Sequence, residues 1–376
     1  MEDDNNNNNN KSQLMLDASA VSSIDVAGKK RLIPSPSLSS ILTKIHAGYF
    51  RISLSLCGQA LLWKTLGEPT SHPNALQRLI HMVPSASTIF LWSLALLVLL
   101  ILSLLYLLRC FFYFKMVKAE FLHHIGVNYL FAPWISWLLL LQSCPFIGPR
   151  TVWYLLLWWV FVFPVIVLDV KIYGQWFTKG KRFLSRVANP TSLLSVMGNL
   201  AGAQAAAHMG WRESAVCMFT LGMAHYLVLF VTLYQRLSET DSLPVMLRPV
   251  FFLFFAAPSM ASLAWDSISG NFDTCSKMLF FLSLFLFTSL VSRPALFKKA
   301  MKRFNVAWWA YSFPLTMLAL AATQYAQEVK GGTAQGIMYG LSGLSVLVSL
   351  ALIVSTALNT SLLLRDRDPI LNPPTS

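Results

Sequence analysis

Few residues capable of covalent chemistry fall in the apolar parts of this chain. The pair that stands out is Phe313 followed by Pro314, inside the stretch VAWWAYSFPLTMLALAAT of residues 306–323. A proline within a helix removes one backbone hydrogen bond and frees the carbonyl a turn earlier, which lipid tolerates only where protein or a water-filled cavity satisfies it. That helix is therefore expected to face an interior. Ala310, Ser312, Thr316 and Ala319 lie near the ring in sequence, so one large side chain occupies an otherwise thin face. This is the chemistry of obstruction rather than catalysis, and Phe313 is a candidate plug in a pore.

The remaining polar residues narrow the class. In the apolar stretches the carboxylates are Asp169, Asp266 and Glu213, all near stretch ends. Cation pores and proton-coupled carriers commonly place acids at depth, so this inventory favours neither. The seven histidines lack HExxH or similar spacing, and no metal or cofactor is expected. His225 reads as a hydrogen-bonded interior histidine. Five cysteines form no framework; only Cys144 and Cys275 are expected on the outer side, where spacing gives no support for a disulfide between them. The inward-leaning stretches offer neutral groups instead: His46, Gln59, Asn128, Ser195, Asn199, Gln204, Ser259, Ser262, Ser312 and Thr316. An anion would cross such a path weakly held, as fast conduction requires.

Composition dictates what must position these groups. Of 376 residues, 55% are hydrophobic and 12% charged, about half the usual charge of a soluble domain. The chain reads as an integral membrane protein of the all-α class. Ten spans are expected, at about 42–64, 88–112, 127–143, 151–171, 192–209, 214–235, 249–266, 277–292, 306–325 and 335–360, each approaching the length that crosses a bilayer. With both termini in the cytoplasm, 22 Lys and Arg fall inside and 6 outside, with Arg51 left in a span, which fixes the orientation. The net charge of +13 thus reports loop sidedness, not nucleic-acid binding, and basic inner loops would concentrate anions. Residues 1–40 read as a disordered cytoplasmic tail with an asparagine run and no cleavable signal, 41–364 as the membrane domain, and 365–376 as a short cytoplasmic tail.

The spans alternate in character. The second and eighth are rich in Leu and Phe, whereas the third, fifth, seventh and ninth carry small residues or Pro133, Pro258 and Pro314, read as bends. Five helical hairpins are expected, odd members inside around a central pore and even members outside. Gly198 and Gly202 suit a pore lining or a packing seam equally, while Gly336 and Gly340 favour a seam. Arg51 is either a charge at the pore mouth or a side chain that snorkels to the headgroups, and its two-turn distance from Lys44 favours snorkelling.

The blocks HAGYFRISLSLCGQALLW, YLFAPW, LDVKIYGQW, ANPTSLLSVMGNLAGA, GMAHYLVLFVTLYQRL, AAPSMASLAW and VAWWAYSFP, in that order between Ile41 and Leu364, resemble the plant slow-type anion channel family. More distantly they resemble the bacterial tellurite-resistance/dicarboxylate transporter family. The resemblance implies ten helices in five quasi-repeated hairpins and a trimer of independent pores, homomeric or mixed with homologous subunits. It also implies plasma-membrane efflux of chloride or nitrate, and occlusion by the aromatic at Phe313. A second occluding aromatic of the family aligns with Leu139, which has no ring. Arg51 stands where the best-known members have a small residue, so it joins the pore-lining candidates. The tails are short beside those of kinase-gated members; serines in LIPSPSLSS and SSILTK leave a protein kinase open as a partner. Beside a channel subunit for inorganic anions, two alternatives stand: a silent subunit that modulates conducting homologues, and a carrier for organic anions.

Overall fold

The computed structural model describes residues 38–68, 85–123, 125–179, 189–236, 245–298, 300–302 and 304–360. The expected tails, save residues 38–40, lie outside these, as do the basic run 180–186, Lys299 and Arg303. Every regular element among the described residues is helical. Ten helices have 13 or more residues: α1 (Phe50–Gly67), α2 (Ser85–Phe112), α3 (Phe131–Ser143), α4 (Val152–Lys179), α5 (Leu193–His208), α6 (Arg212–Arg236), α7 (Leu253–Ser269), α8 (Thr274–Val291), α9 (Trp309–Val329) and α10 (Gly332–Leu358). Among the described residues seven are long and apolar enough to cross a bilayer alone, and an eighth is if Phe114–Leu122 and Gly126–Ser143 form one broken span. Neither α1 nor α5 meets that test. They are almost wholly buried, so protein and not lipid satisfies their surfaces.

The odd helices form an inner layer. In the most apolar stretches of α7 and α9, 78% and 83% of residues are buried, against 11–39% for the even helices. Packing closes this layer on itself, because α1 touches α3, α3 touches α5, α5 touches α7, α7 touches α9, and α9 returns to α1. Each even helix packs on the odd helix of its own hairpin and on a second one: α2 on α1 and α3, α4 on α3 and α5, α6 on α5 and α7, α8 on α7 and α9, α10 on α9 and α1. The result is a five-membered ring sheathed by five outer helices.

Local sequence explains how the chain enters and leaves the ring. Before α1, α5 and α9 an extended residue (His46, Asn189 or Asn305) accepts through its side chain from the backbone N–H two residues on and starts a 3-10 turn. Ahead of α3, His123 Nδ1 accepts from the N–H groups of Ile125 and Gly126, at 3.3 Å each. Burial holds the His123 imidazole below its ordinary pKa, which keeps that nitrogen an acceptor. At the other end, Gly210 and Gly270 adopt φ of +83° and +79°, so the chain turns straight into the partner helix. Lys330 performs the same turn at φ 52° with its neighbours Gly331 and Gly332.

Several expectations need correction. The first inner helix begins at Phe50 and not near residue 42, because His46 breaks the backbone after a separate helix Leu38–Lys44. Pro133 is third in α3, within the first turn, where its missing N–H disturbs little; Pro258 and Pro314 lie inside α7 and α9. An outer helix also carries an internal proline, Pro164 in α4. A Cβ added at Gly336 or Gly340 would meet nothing within 4 Å, so these glycines form no seam within the chain. All five cysteines are free, Cys144 and Cys275 included.

Candidate functional site

A cavity of about 370 Å³ opens at the C-terminal ends of the inner helices. All five contribute: Leu61, Lys64 and Thr65 from α1, Gln142 from α3, Gln204 and His208 from α5, Leu263, Asp266 and Ser267 from α7, and Leu320 and Gln324 from α9. The inner helices therefore run in one direction, with their C termini at this vestibule and their N termini at the opposite end. Parallel helices sum their dipoles, so the end away from the vestibule carries five positive N termini, an arrangement that favours anions. At the vestibule, Lys64 is held by donating from Nζ to the Gln142 carbonyl at 2.8 Å, and His208 Nε2 lies 3.2 Å from the Ser267 hydroxyl.

Residues seven apart on a helix share a face within about 20° and stand two turns, roughly 10 Å, apart. Stepping seven residues down from Leu61, Gln142, Gln204, Leu263 and Leu320 reaches Leu54, Ile135, Met197, Ala256 and Phe313. All five are buried at 1% exposure or less. Phe313 is the aromatic member of this layer, on the face of α9 that lines the vestibule above it. On the neighbouring inner helix α1, a Cβ at Gly58 would stand 3.6 Å from the Phe313 ring. Leu139 is buried one turn below Gln142, in the layer above, and belongs to the same apolar cluster.

The hydroxyls expected to line the lumen are hydrogen-bonded between helices. Ser312 pairs with Ser55 of α1 and with Ser349 of α10; Thr316 meets Ser345 of α10 at 2.9 Å and accepts from Gln59 Nε2 at 2.9 Å. Gln59 also donates to Ser345 and Ser349 at 2.8 Å each. On α7, Ser259 pairs with Ser283 of α8, and Ser262 donates to the Ser276 carbonyl at 2.8 Å. Asn199 of α5 donates to Asp169 of α4 at 2.7 Å, and Ser195 pairs with His225 of α6 at 3.1 Å. Inner-helix polarity thus bonds α9 to α1 within the inner layer and ties the inner helices to the outer ones. Of the neutral groups singled out in the sequence, Gln204 is the one that lines the vestibule.

Gly198 and Gly202 resolve as seam positions. A Cβ at Gly198 would stand 3.1 Å from Val165 of α4 and 3.2 Å from Phe131 of α3, and one at Gly202 would stand 2.4 Å from Met218 of α6. Arg51 does not snorkel. It is 6% exposed, donates from Nε to the Gly48 carbonyl at 2.9 Å, and sets its guanidinium 4.7 Å from the Tyr129 ring centre. Sequence reasoning missed Lys64, Gln142, His208 and Gln324 as vestibule groups and Leu54, Ile135, Met197 and Ala256 as ring-facing ones. Their signal was available: each set recurs near the C-terminal end of an inner helix, or seven residues before it.

A family model described as voltage-dependent anion channel, SLAC1, matches residues 44–357. The chain belongs to this family. It is 60% identical over 338 residues to the S-type anion channel SLAH1 of Arabidopsis thaliana, covering 90% of this chain and 87% of that one. Identity to S-type anion channel SLAH4 of the same plant is 59%, over 89% and 88%. Against the guard cell S-type anion channel SLAC1, also from Arabidopsis thaliana, it is 42% over 87% of this chain and 58% of the relative. The matched SLAC1-family region covers the whole ring and its sheath.

Proposed function

We propose that the ring of inner helices encloses a pathway for inorganic anions, chloride or nitrate, and that Phe313 closes it. The carrying observation is the vestibule shared by all five inner helices, with a single aromatic in the layer two turns beneath it. Two physical features support the reading. Five helix N termini and the basic loops at that end attract anions, and the ring face is apolar and holds an ion weakly. Family membership points the same way. The orientation is the one set by the basic loops, termini in the cytoplasm, and the membrane is the plasma membrane. Copies of the chain, or homologous subunits, associate as a trimer of separate pathways, for which the exposed glycine face of α10 at Gly336, Gly340 and Gly343 is a candidate contact.

The test is expression in oocytes without any homologue, with surface density measured. Anion current that shifts reversal potential with the chloride or nitrate gradient is expected. Absence of current at confirmed surface density would overturn the reading in favour of a modulatory subunit; saturable malate uptake without such a current would favour a carrier.

A further inference from the structure

A second cavity lies outside the ring and opens between the outer helices. It is a groove of about 900 Å³ between α2, α4 and the short helix Phe114–Leu122, within the size range of built ligand sites. Its floor is the inner helix α3, through Pro133, Trp134 and Trp137. The walls are aliphatic and aromatic, among them Leu104, Leu107, Phe163, Pro164 and Val167. Cations gather at one end: exposed Lys118 lines the groove, and behind it the Lys171 ammonium is buried 3.2 Å from the ring centre of Phe121, another lining residue, with no hydrogen-bond partner among the described residues. The helix Phe114–Leu122 bears exposed Phe114, Met116 and Leu122 beside exposed Lys115 and Lys118, the composition of a segment lying in a membrane interface.

We propose that this groove seats the acyl chains of an anionic phospholipid, from the leaflet at the N-terminal end of the inner helices, with its head group at Lys118 and Lys171. An apolar trough that ends in two lysines matches such a molecule in both polarity and charge, whereas a lipid of zero net charge brings no net counter-charge to the lysines. The site touches the ring directly. Glu120, on the same short helix, accepts from the Ala47 N–H at 2.8 Å, where the first inner helix is entered, and pairs with Arg109 at 3.6 Å. A Cβ at Gly126 would lie 2.6 Å from the Glu120 carbonyl, so this helix is also locked against the entry to α3. A lipid in the groove therefore braces the element that anchors two inner helices.

The test uses the full chain purified in detergent, stripped of lipid, and offered phosphatidylserine or phosphatidylcholine while native mass spectrometry counts retained lipid. Wild type is expected to retain phosphatidylserine in preference by roughly tenfold, two lysines near the surface being sufficient for that. In Lys118→Gln/Lys171→Gln the preference should fall to near parity, whereas Lys277→Gln/Lys330→Gln should keep it. Leu104→Trp, which fills the trough, should lower retention of both lipids, and Val167→Phe gives a second filling variant if that chain does not fold. No preference in wild type, or one unchanged in the lysine variant, overturns the proposal. Efficient disulfide cross-linking of Leu104→Cys to a second copy also overturns it, because a neighbouring subunit then covers the groove. The readout counts lipid and does not depend on conduction, so its failure is separable from failure of the channel reading.

Discussion

The inner and outer helices differ in a way opposite to what a soluble protein teaches. The more buried set is the less apolar one: α1, α5, α7 and α9 carry Gln59, Ser195, Asn199, Ser259, Ser312 and Thr316, while the exposed faces of α2, α4 and α10 are Leu, Val and Phe. Lipid demands apolar surface from whatever touches it, and burial inside protein relaxes that demand. Small residues then allow close approach, and hydroxyls find partners across the layers.

The ring and its sheath should consequently respond differently to substitution. The largest effect is expected at the seams. Gly198→Val places methyl groups against Val165 and Phe131, which stand 3.1 and 3.2 Å from the first added carbon, and overpacking of this kind costs about 1–3 kcal/mol. Surface-labelled protein should fall several-fold; unaltered surface density would break the seam assignment. Next comes Asn199→Leu, which removes the partner of buried Asp169 and leaves an unpaired polar group at a cost of about 1–3 kcal/mol. Asn199→Asp should be worse than Leu if two carboxylates then face each other, a contrast that thermal unfolding in detergent can read. Gln59→Met, breaking the cluster with Thr316, Ser345 and Ser349, should cost about 0.6–1.7 kcal/mol. If the hydroxyl cluster instead lined the lumen, this change would alter ion preference with no loss of stability. The smallest effect belongs to the sheath: Leu347→Ala, 66% exposed on α10, should change stability by less than about 0.5 kcal/mol in a monomer.

Much of this architecture was legible in the sequence, because a Leu- and Phe-rich span suits lipid while small polar residues around an internal proline suit a protein interior. Pro164 of α4 and the exposed glycines of α10 show that Pro or Gly alone does not assign a helix to the inner layer. The direction of individual hydroxyls was not legible, since Ser259 or Thr316 can bond to a neighbouring helix as readily as face a lumen, and period alone does not say which side holds the partner. The burial of Arg51 was not legible for a similar reason: the ring of Tyr129 that receives it is 78 residues away in sequence. The start of α1 was missed because Leu42 and Ile45 continue the apolar pattern while His46 ends the helix through its backbone. Phe313 was singled out by its neighbourhood, and the structure puts it two turns along α9 from the vestibule residue Leu320, which adds a second reason to test it.

The central claim is that Phe313 obstructs the ring and is not simply packing within it. Phe313→Ala separates the two by sign. Removing an obstruction lets water and anions into the layer of Leu54, Ile135, Met197 and Ala256, so current per surface-labelled molecule should rise well above wild type without any activating signal. Removing core packing opens a cavity that costs about 3–5 kcal/mol, and fewer folded molecules carry no more current each. The measurement is whole-cell anion current divided by surface-labelled protein: a several-fold increase over wild type is the predicted result, and a value at or below wild type contradicts the account.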